Sequence, residues 1–301
     1  MHWRSWTLAT LTLALLAGCG GESGSTGASH GKPGDGPTSG ELVKVAYDYG
    51  VGDGVRMTLT TSVAMERPGS AEADAPTEMT MVMRALCTEV RDNGDRVLEY
   101  VFESMGMPGG APAPPGLEGM RGHATIDATG KMTDMTFEAD DPMLAAAFKK
   151  SMAGGGLPSM VPFPPEGLRV GDAIDMKDMY PGDLLSELLS TTPGSQASST
   201  MDGKLVLVGT RMIDGAQAAE FAVSMTMSMT MEMDLGGSTM RTDTTSTSSG
   251  RQFVDLKTGF PVGESTTSGT STMTMSGGPA QAGDREMKST STSTCTCERL
   301  P

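Results

Sequence analysis

The sequence predicts a mainly β protein built on long, curved antiparallel sheet, with one or two short helices packed against it. Three observations carry that prediction. From Phe221 to Leu235 the odd positions read Phe221, Val223, Met225, Met227, Met229, Met231, Met233 and Leu235, while the even ones are small, polar or acidic. A strict period of two over such a run is that of a strand with one apolar face and one wet face, not of a helix. At about 3.3 Å per residue this strand would run about 50 Å, which demands equally long partners. Further alternating runs recur along the chain, divided by Gly, Asn-Gly and Asp-Gly turns. The filling is also unusual, with 27 Met against 7 Phe, 4 Tyr and 2 Trp in 301 residues. Methionine is unbranched and adaptable, so this apolar face reads either as a plastic core or as a surface that accepts variable apolar ligands.

In chain order, Val43 to Tyr49 and Val55 to Met65 alternate and are expected to pair across the Gly50–Gly54 turn. Thr77 to Val90 follows, and Asp92-Asn93-Gly94-Asp95 supplies a tight hairpin into Val97 to Met105. Residues 106–119 are rich in Pro and Gly and read as a loop, either a lid or an inert insertion. Arg121 to Ile126 and Lys131 to Phe137 flank a second hairpin at Asp127 to Gly130. Pro142 near the start, Leu144, Ala147, Phe148 and Met152 on one face, and Gly154 as terminator predict a helix over Met143 to Ala153. A second helix is expected over Asp183 to Ser190. Lys204 to Met212, the Asp214-Gly215 turn and the Met strand come next. Gly236-Gly237 then turns into a Ser/Thr-rich strand to about Ser248, and Arg251 to Leu256 pairs with Val262 to Met275 across Lys257 to Gly259. The last strand, Arg285 to Cys297, is Ser and Thr on both faces and is expected at an edge. An Asp-Thr-Gly hairpin recurs after about 130 residues, so the folded region 41–301 is expected as two similar halves, about 41–175 and 199–301.

The amino terminus reads as an address. Met1 to Arg4 is basic, Ser5 to Leu16 is apolar but too short to span a bilayer, and small residues follow, so 1–18 reads as a signal peptide. Leu16-Ala17-Gly18-Cys19 resembles the lipobox of bacterial lipoproteins. The resemblance implies cleavage before Cys19, and diacylglycerol and an N-acyl chain on that residue. At about 0.8 kcal/mol per buried methylene, two or three chains amount to stable anchoring. Gly20 stands where the family's inner-membrane retention signal has Asp, which implies a lipid-anchored place at the outer membrane, on its periplasmic face or at the cell surface. Residues 19–40, Gly- and Ser-rich, read as a flexible tether with a span of about 25 Å. Between the halves, Pro162, Pro164, Pro165, Val170, Gly171 and Asp172 resemble an uncharacterised group of secreted β-rich lipoproteins, with Ile174 where that group has Trp. At the level of fold alone, the pattern is similar to the half-barrel lipoprotein carriers.

The net charge of −15 excludes the clustered cation surface that nucleic acid requires. His2 falls in the signal, His30 in the tether, and only His123 in the folded region, so a Ser-His-Asp or Cys-His catalytic set is not expected. Outside the cytoplasm Cys87 is expected to pair with Cys295 or Cys297, closing a loop of about 210 residues worth about 5 kcal/mol. No cofactor and no zinc site is expected, since His does not accompany these Cys. The expectation for function is therefore a non-catalytic binding or structural module whose partner is an apolar ligand or an envelope protein. Two alternatives stand beside it. One is a carrier of an acyl chain or apolar peptide on the face Met225, Met227, Met229, Met231 and Met233; the other is Cu(I) binding by those thioethers.

Overall fold

The computed structural model describes residues 42–66, 75–113, 116–138, 163–176, 195–234, 239–277 and 285–300. The signal peptide, Cys19, the tether and both expected helices lie outside them. The described chain forms eleven strands: β1 (Gly54–Glu66), β2 (Thr77–Val90), β3 (Arg96–Gly106), β4 (Arg121–Ile126), β5 (Met132–Glu138), β6 (Ala173–Asp175), β7 (Ser195–Ile213), β8 (Ala216–Asp234), β9 (Thr239–Asp255), β10 (Gly263–Gly277) and β11 (Arg285–Arg299). All pair antiparallel in one sheet of order β5-β4-β3-β2-β1-β11-β10-β9-β8-β7-β6. The chain is thus a meander in which the first and last strands meet in the middle, and β5 and β6 are the two edges. A single turn of 3-10 helix, Pro108–Gly110, interrupts the Pro- and Gly-rich loop.

The Met run forms the C-terminal half of β8, whose 19 residues pair almost throughout with β7 and β9. Its neighbours match it in length because an unpaired stretch of so long a strand would leave its N–H and C=O groups without partners. Two expectations need correction. Val43 to Tyr49 is not a strand of the sheet: only Val43 makes a bridge, to Leu168, and Tyr47 has φ of 48°, a left-handed backbone that breaks any strand. The final strand is not at an edge but between β1 and β10, because the meander closes on itself there. The Ser/Thr-rich strand expected to about Ser248 and the segment Arg251 to Leu256 are not separate but one continuous strand, β9.

Tyr47 shows that the sheet is rolled. A Cβ on Gly130, in the β4–β5 turn, would lie 2.0 Å from the Tyr47 ring, and one on Gly259, in the β9–β10 turn, 2.6 Å from it. Those turns are six strand steps apart in the sheet order, about 29 Å along a flat sheet at about 4.8 Å per step. One phenol ring touches both, so the sheet curls around it. Residues 42–50 run across this end, with Ala46 N–H donating to Leu256 C=O and Asp48 N–H to Lys257 C=O. Tyr47 and Tyr49 are buried there with Phe260, whose ring lies 4.9 Å from that of Tyr49. The returning segment adds Phe163, whose N–H donates to Tyr47 Oη at 2.9 Å and whose ring meets Phe221 edge-on at 5.3 Å. One end of the rolled sheet is therefore plugged by aromatic side chains.

Candidate functional site

The inner face of the rolled sheet carries the core: Val55, Met57 and Leu59 of β1, Met81, Met83 and Ala85 of β2, Leu98, Tyr100 and Phe102 of β3, and Leu205, Leu207, Phe221, Val223 and Met225 of β7 and β8. Met225, Met227 and Met229 are 9%, 2% and 7% exposed, and Met231 and Met233 are half-buried further from the plug. Across the sheet Met227 stands opposite Met201 of β7, and Met225 opposite Gly203. The five methionines are therefore one rib, buried over Met225 to Met229 and more open toward Met233.

The wall beside this rib is different in kind. Opposite Met225, Met227, Met229 and Met231 stand Ser248, Ser246, Thr244 and Thr242 of β9. In β10 and β11 the rows of Met225 and Met227 continue with Gly269 and Ser291 and with Ser271 and Ser289, whereas those of Met229 and Met231 return to Met273 and Met287 and to Met275 beside Arg285; Thr267 belongs to the row of Val223 and Gly250 and leads through Ser293 to Thr61 of β1. Small hydroxyl side chains thus make a shallow trough between the Met rib of β8 and the Leu59–Met81 row of β1 and β2. Some of its hydroxyls pair, as Thr61 with Ser293 at 3.0 Å and Ser246 with Ser271 at 3.0 Å. Four do not: the hydroxyls of Thr242, Thr244, Ser265 and Thr267 are buried without a hydrogen-bond partner among the described residues. Buried polar groups are nearly always bonded, and each orphan costs about 1–3 kcal/mol. They form two pairs, Thr242 and Thr244 on β9 beside Met273 and Met275, and Ser265 and Thr267 on β10 nearer the β9–β10 turn.

At the plugged end, burial pushes the Tyr47 phenol up to about 12, and burial pushes that of Tyr49 further in the same direction. Both are neutral at physiological pH, and Tyr47 Oη accepts the Phe163 N–H. On the outer face, Glu220 is buried between two guanidinium groups, accepting from Arg211 and, at 2.5 Å, from Arg251. Asp255 is likewise buried and accepts from Arg299, from Lys257 N–H at 2.9 Å and from Thr258 Oγ1 at 2.8 Å, which fixes the β9–β10 turn against Tyr47. Asp127 caps the β4–β5 turn the same way through Thr129 and Lys131. The recurring Asp-Thr-Gly hairpins are thus the two jaws that hold one ring.

No protein-family model matches this chain, and no curated protein matches it. Its function has to be read from the geometry.

The three described cysteines are buried thiols and none forms a disulfide. The expected bond from Cys87 to the last strand is not made, and the register explains why. Cys297 is in the row of Met57 and Met83, four residues along β2 from Cys87 and two strands away. That separation is about 16 Å, far beyond the Cα spacing of a disulfide. Cys87 instead lies near Glu89, whose C=O accepts from its Sγ at 3.5 Å, and burial pushes its thiol up. Cys295 and Cys297 bring their Sγ atoms to 3.6 Å. His123 is on the face of β4 opposite the core residues Ala124 and Ile126, across from Glu99 and Thr136. Among the described residues no three His, Cys, Asp or Glu side chains gather into a metal site. No described helix is long and apolar enough to cross a membrane.

The sequence reading missed Tyr47, Phe163 and the hydroxyl wall. A signal for the wall was present in β11, where Ser289, Ser291, Ser293, Cys295 and Cys297 alternate with Thr290, Thr292, Thr294 and Thr296. Grouped as "Ser and Thr on both faces" the run looks uniform; separated by size it has a small inner face and a β-branched outer one.

Proposed function

We propose that this chain is a lipid-anchored lipoprotein of the bacterial envelope, held at the outer membrane through Cys19, and that it is a non-catalytic binding module. Its occupant is an amphiphile with an acyl chain. The observation that carries the reading is the juxtaposition, on one inner face, of the Met rib with the hydroxyls of Thr244 and Thr242, which stand directly opposite Met229 and Met231 and have no hydrogen-bond partner among the described residues. An acyl chain suits the polarizable, adaptable thioethers. Ester or hydroxyl groups at its head suit donors that the protein leaves unbonded. A plain core would place Val or Ile at positions 242 and 244, which have the same branched shape without the desolvation cost. Rolled sheet, plugged at one end and lined by Met, is also the form a carrier of such a ligand would take.

The test is native mass spectrometry of the full chain purified from its own membrane, followed by titration with a fluorescent fatty acid. Co-purifying lipid, and fatty-acid binding weakened at least about tenfold by Met227→Lys, are the expected results. A ligand-free protein that also ignores the fatty acid sinks the proposal.

A further inference from the structure

We propose that Cys295 and Cys297, with Met57, form a binding site for a soft monovalent metal ion, Cu(I). Alternate residues of a strand project to the same face with their Cα atoms about 6.5–7 Å apart. For the two Sγ atoms to lie 3.6 Å from each other, both side chains must lean together. Small apolar filling does not require that approach. Two metal–sulfur bonds of about 2.3 Å at a tetrahedral or trigonal angle place their sulfurs about 3.8–4.0 Å apart, so the pair is already near chelating geometry. The third sulfur comes from the neighbouring strand. Met57 is the cross-strand partner of Cys297, where facing Cβ atoms are about 4.5–5.5 Å apart. Cys295, Cys297 and Met57 are 2%, 4% and 2% exposed, so all three side chains are shielded from water.

The donor set decides the ion. Thiolate and thioether sulfur select Cu(I), whereas zinc takes four ligands drawn from thiolate, imidazole and carboxylate. A disulfide fits the same pair less well, since it needs Cβ atoms about 3.5–4.5 Å apart and the extended strand holds them wider. On binding, Cu(I) stays Cu(I): two S–H bonds break, their protons leave to solvent, and two copper–thiolate bonds form, with Met57 Sδ as a neutral third ligand. Two thiolates bind more strongly than any pair of thioethers on β8, so the copper site falls on the C-terminal strand and not on the Met rib. Cys87, about 16 Å away along the register, is outside it.

The experiment uses the full chain, purified anaerobically in detergent with a reductant, loaded with Cu(I) and challenged with a chromogenic Cu(I) chelator. The expected result is one Cu(I) retained per chain, with an X-ray absorption spectrum showing sulfur neighbours only. Cys295→Ser and Cys297→Ser lower the retained affinity at least about 100-fold, and Cys87→Ser leaves it unchanged. Met57→Leu, which keeps the apolar volume, lowers it about tenfold; its melting temperature and those of the Cys variants, measured without copper, separate lost ligation from lost fold. Failure to retain copper, retention untouched by both Cys substitutions, or a Cys295–Cys297 disulfide in the protein as isolated overturns the proposal.

Discussion

The rolled form of the sheet rests on Tyr47 being held between two turns, and a double-mutant cycle on Tyr47 and Gly130 tests it. Gly130 has φ of 83°, so Gly130→Ala costs about 1–2 kcal/mol from the left-handed backbone alone. Its new methyl would stand 2.0 Å from the Tyr47 ring, and displacing that ring adds an overpacking cost of about 1–3 kcal/mol. The single variant therefore loses about 2–5 kcal/mol. Tyr47→Ala removes a buried ring and leaves Phe163 N–H without its acceptor, a loss of about 3–5 kcal/mol. In the double variant the backbone cost remains but the steric cost is gone. The two effects then fall short of their sum by about 1–3 kcal/mol. Urea unfolding of the four proteins, followed by far-ultraviolet circular dichroism at fixed pH, gives each stability. Gly259→Ala, 2.6 Å from the same ring on the other jaw, should couple to Tyr47 in the same sense. Additivity within about 0.5 kcal/mol at both glycines would refute the clasp, and with it the curvature drawn from it.

Other residues give independent checks. Tyr47, raised to about 12 by burial, stabilises the fold fully below the unfolded tyrosine value of about 10 and loses that contribution as pH rises through 12. Tyr47→Phe should therefore flatten part of the alkaline fall in urea midpoint between pH 10 and 12, and an unchanged slope counts against burial of that phenol. Asp243, held at about 2 chiefly by its hydrogen bond from Arg241 and then by that from Thr230, acts in the opposite direction. Its contribution is present above the unfolded carboxylate range and is lost as pH falls toward 2, so Asp243→Asn should show a shallower acid limb than the parent. Glu220→Ala leaves Arg211 and Arg251 without their shared carboxylate; because both guanidinium groups reach solvent, the loss should be about 2 kcal/mol, read from the urea midpoint. Thr244→Val keeps the branched shape and deletes an orphan hydroxyl, so the ligand-free protein should gain about 1 kcal/mol while fatty-acid binding weakens. A loss of stability instead would mean that this hydroxyl is bonded in solution.

Most strand positions were legible because period-two patterning is local: β2 and β4 fall on the predicted bounds, and β1, β3, β5 and β10 differ from them only slightly. Sheet order was not legible, since nothing local says that β1 pairs with β11 across more than two hundred residues. That single pairing turned an expected edge into the middle of the sheet. The segment Val43 to Tyr49 misled for another reason. Its alternation is real, and Val43, Tyr47 and Tyr49 are buried, but they fill the end of the rolled sheet, where apolar side chains are wanted without a ladder of hydrogen bonds. The disulfide expectation failed on distance, which spacing along the chain does not report. The Met face was readable as a face, and its hydroxyl neighbour was not, because Thr and Ser are ordinary outer-face residues of strands.

The trough shows how a site can be recognised here without a matching relative. A sheet that buried one face only for stability would carry apolar residues on all its central strands, since those strands are the furthest from solvent. In this chain the middle strand, β11, and its neighbour β10 carry Ser, Thr and Gly over the middle of the inner face, at Ser265 to Ser271 and Ser289 to Ser293, while β1 on the other side of β11 keeps Val55, Met57 and Leu59. The polar wall sets aside several kcal/mol of hydrophobic burial and leaves four hydroxyls without a partner among the described residues. Where a sequence breaks the rule that its fold otherwise obeys, the break is where function is to be sought. The same strand then returns to the apolar pattern at Cys295 and Cys297, which stand opposite Leu59 and Met57. Trough and thiol pair are consecutive stretches of one strand, so a ligand in the first and a metal in the second would share β11 as a common wall. Stiffening of β11 by copper would then be felt at Ser293 and Thr61, the last pair of the trough.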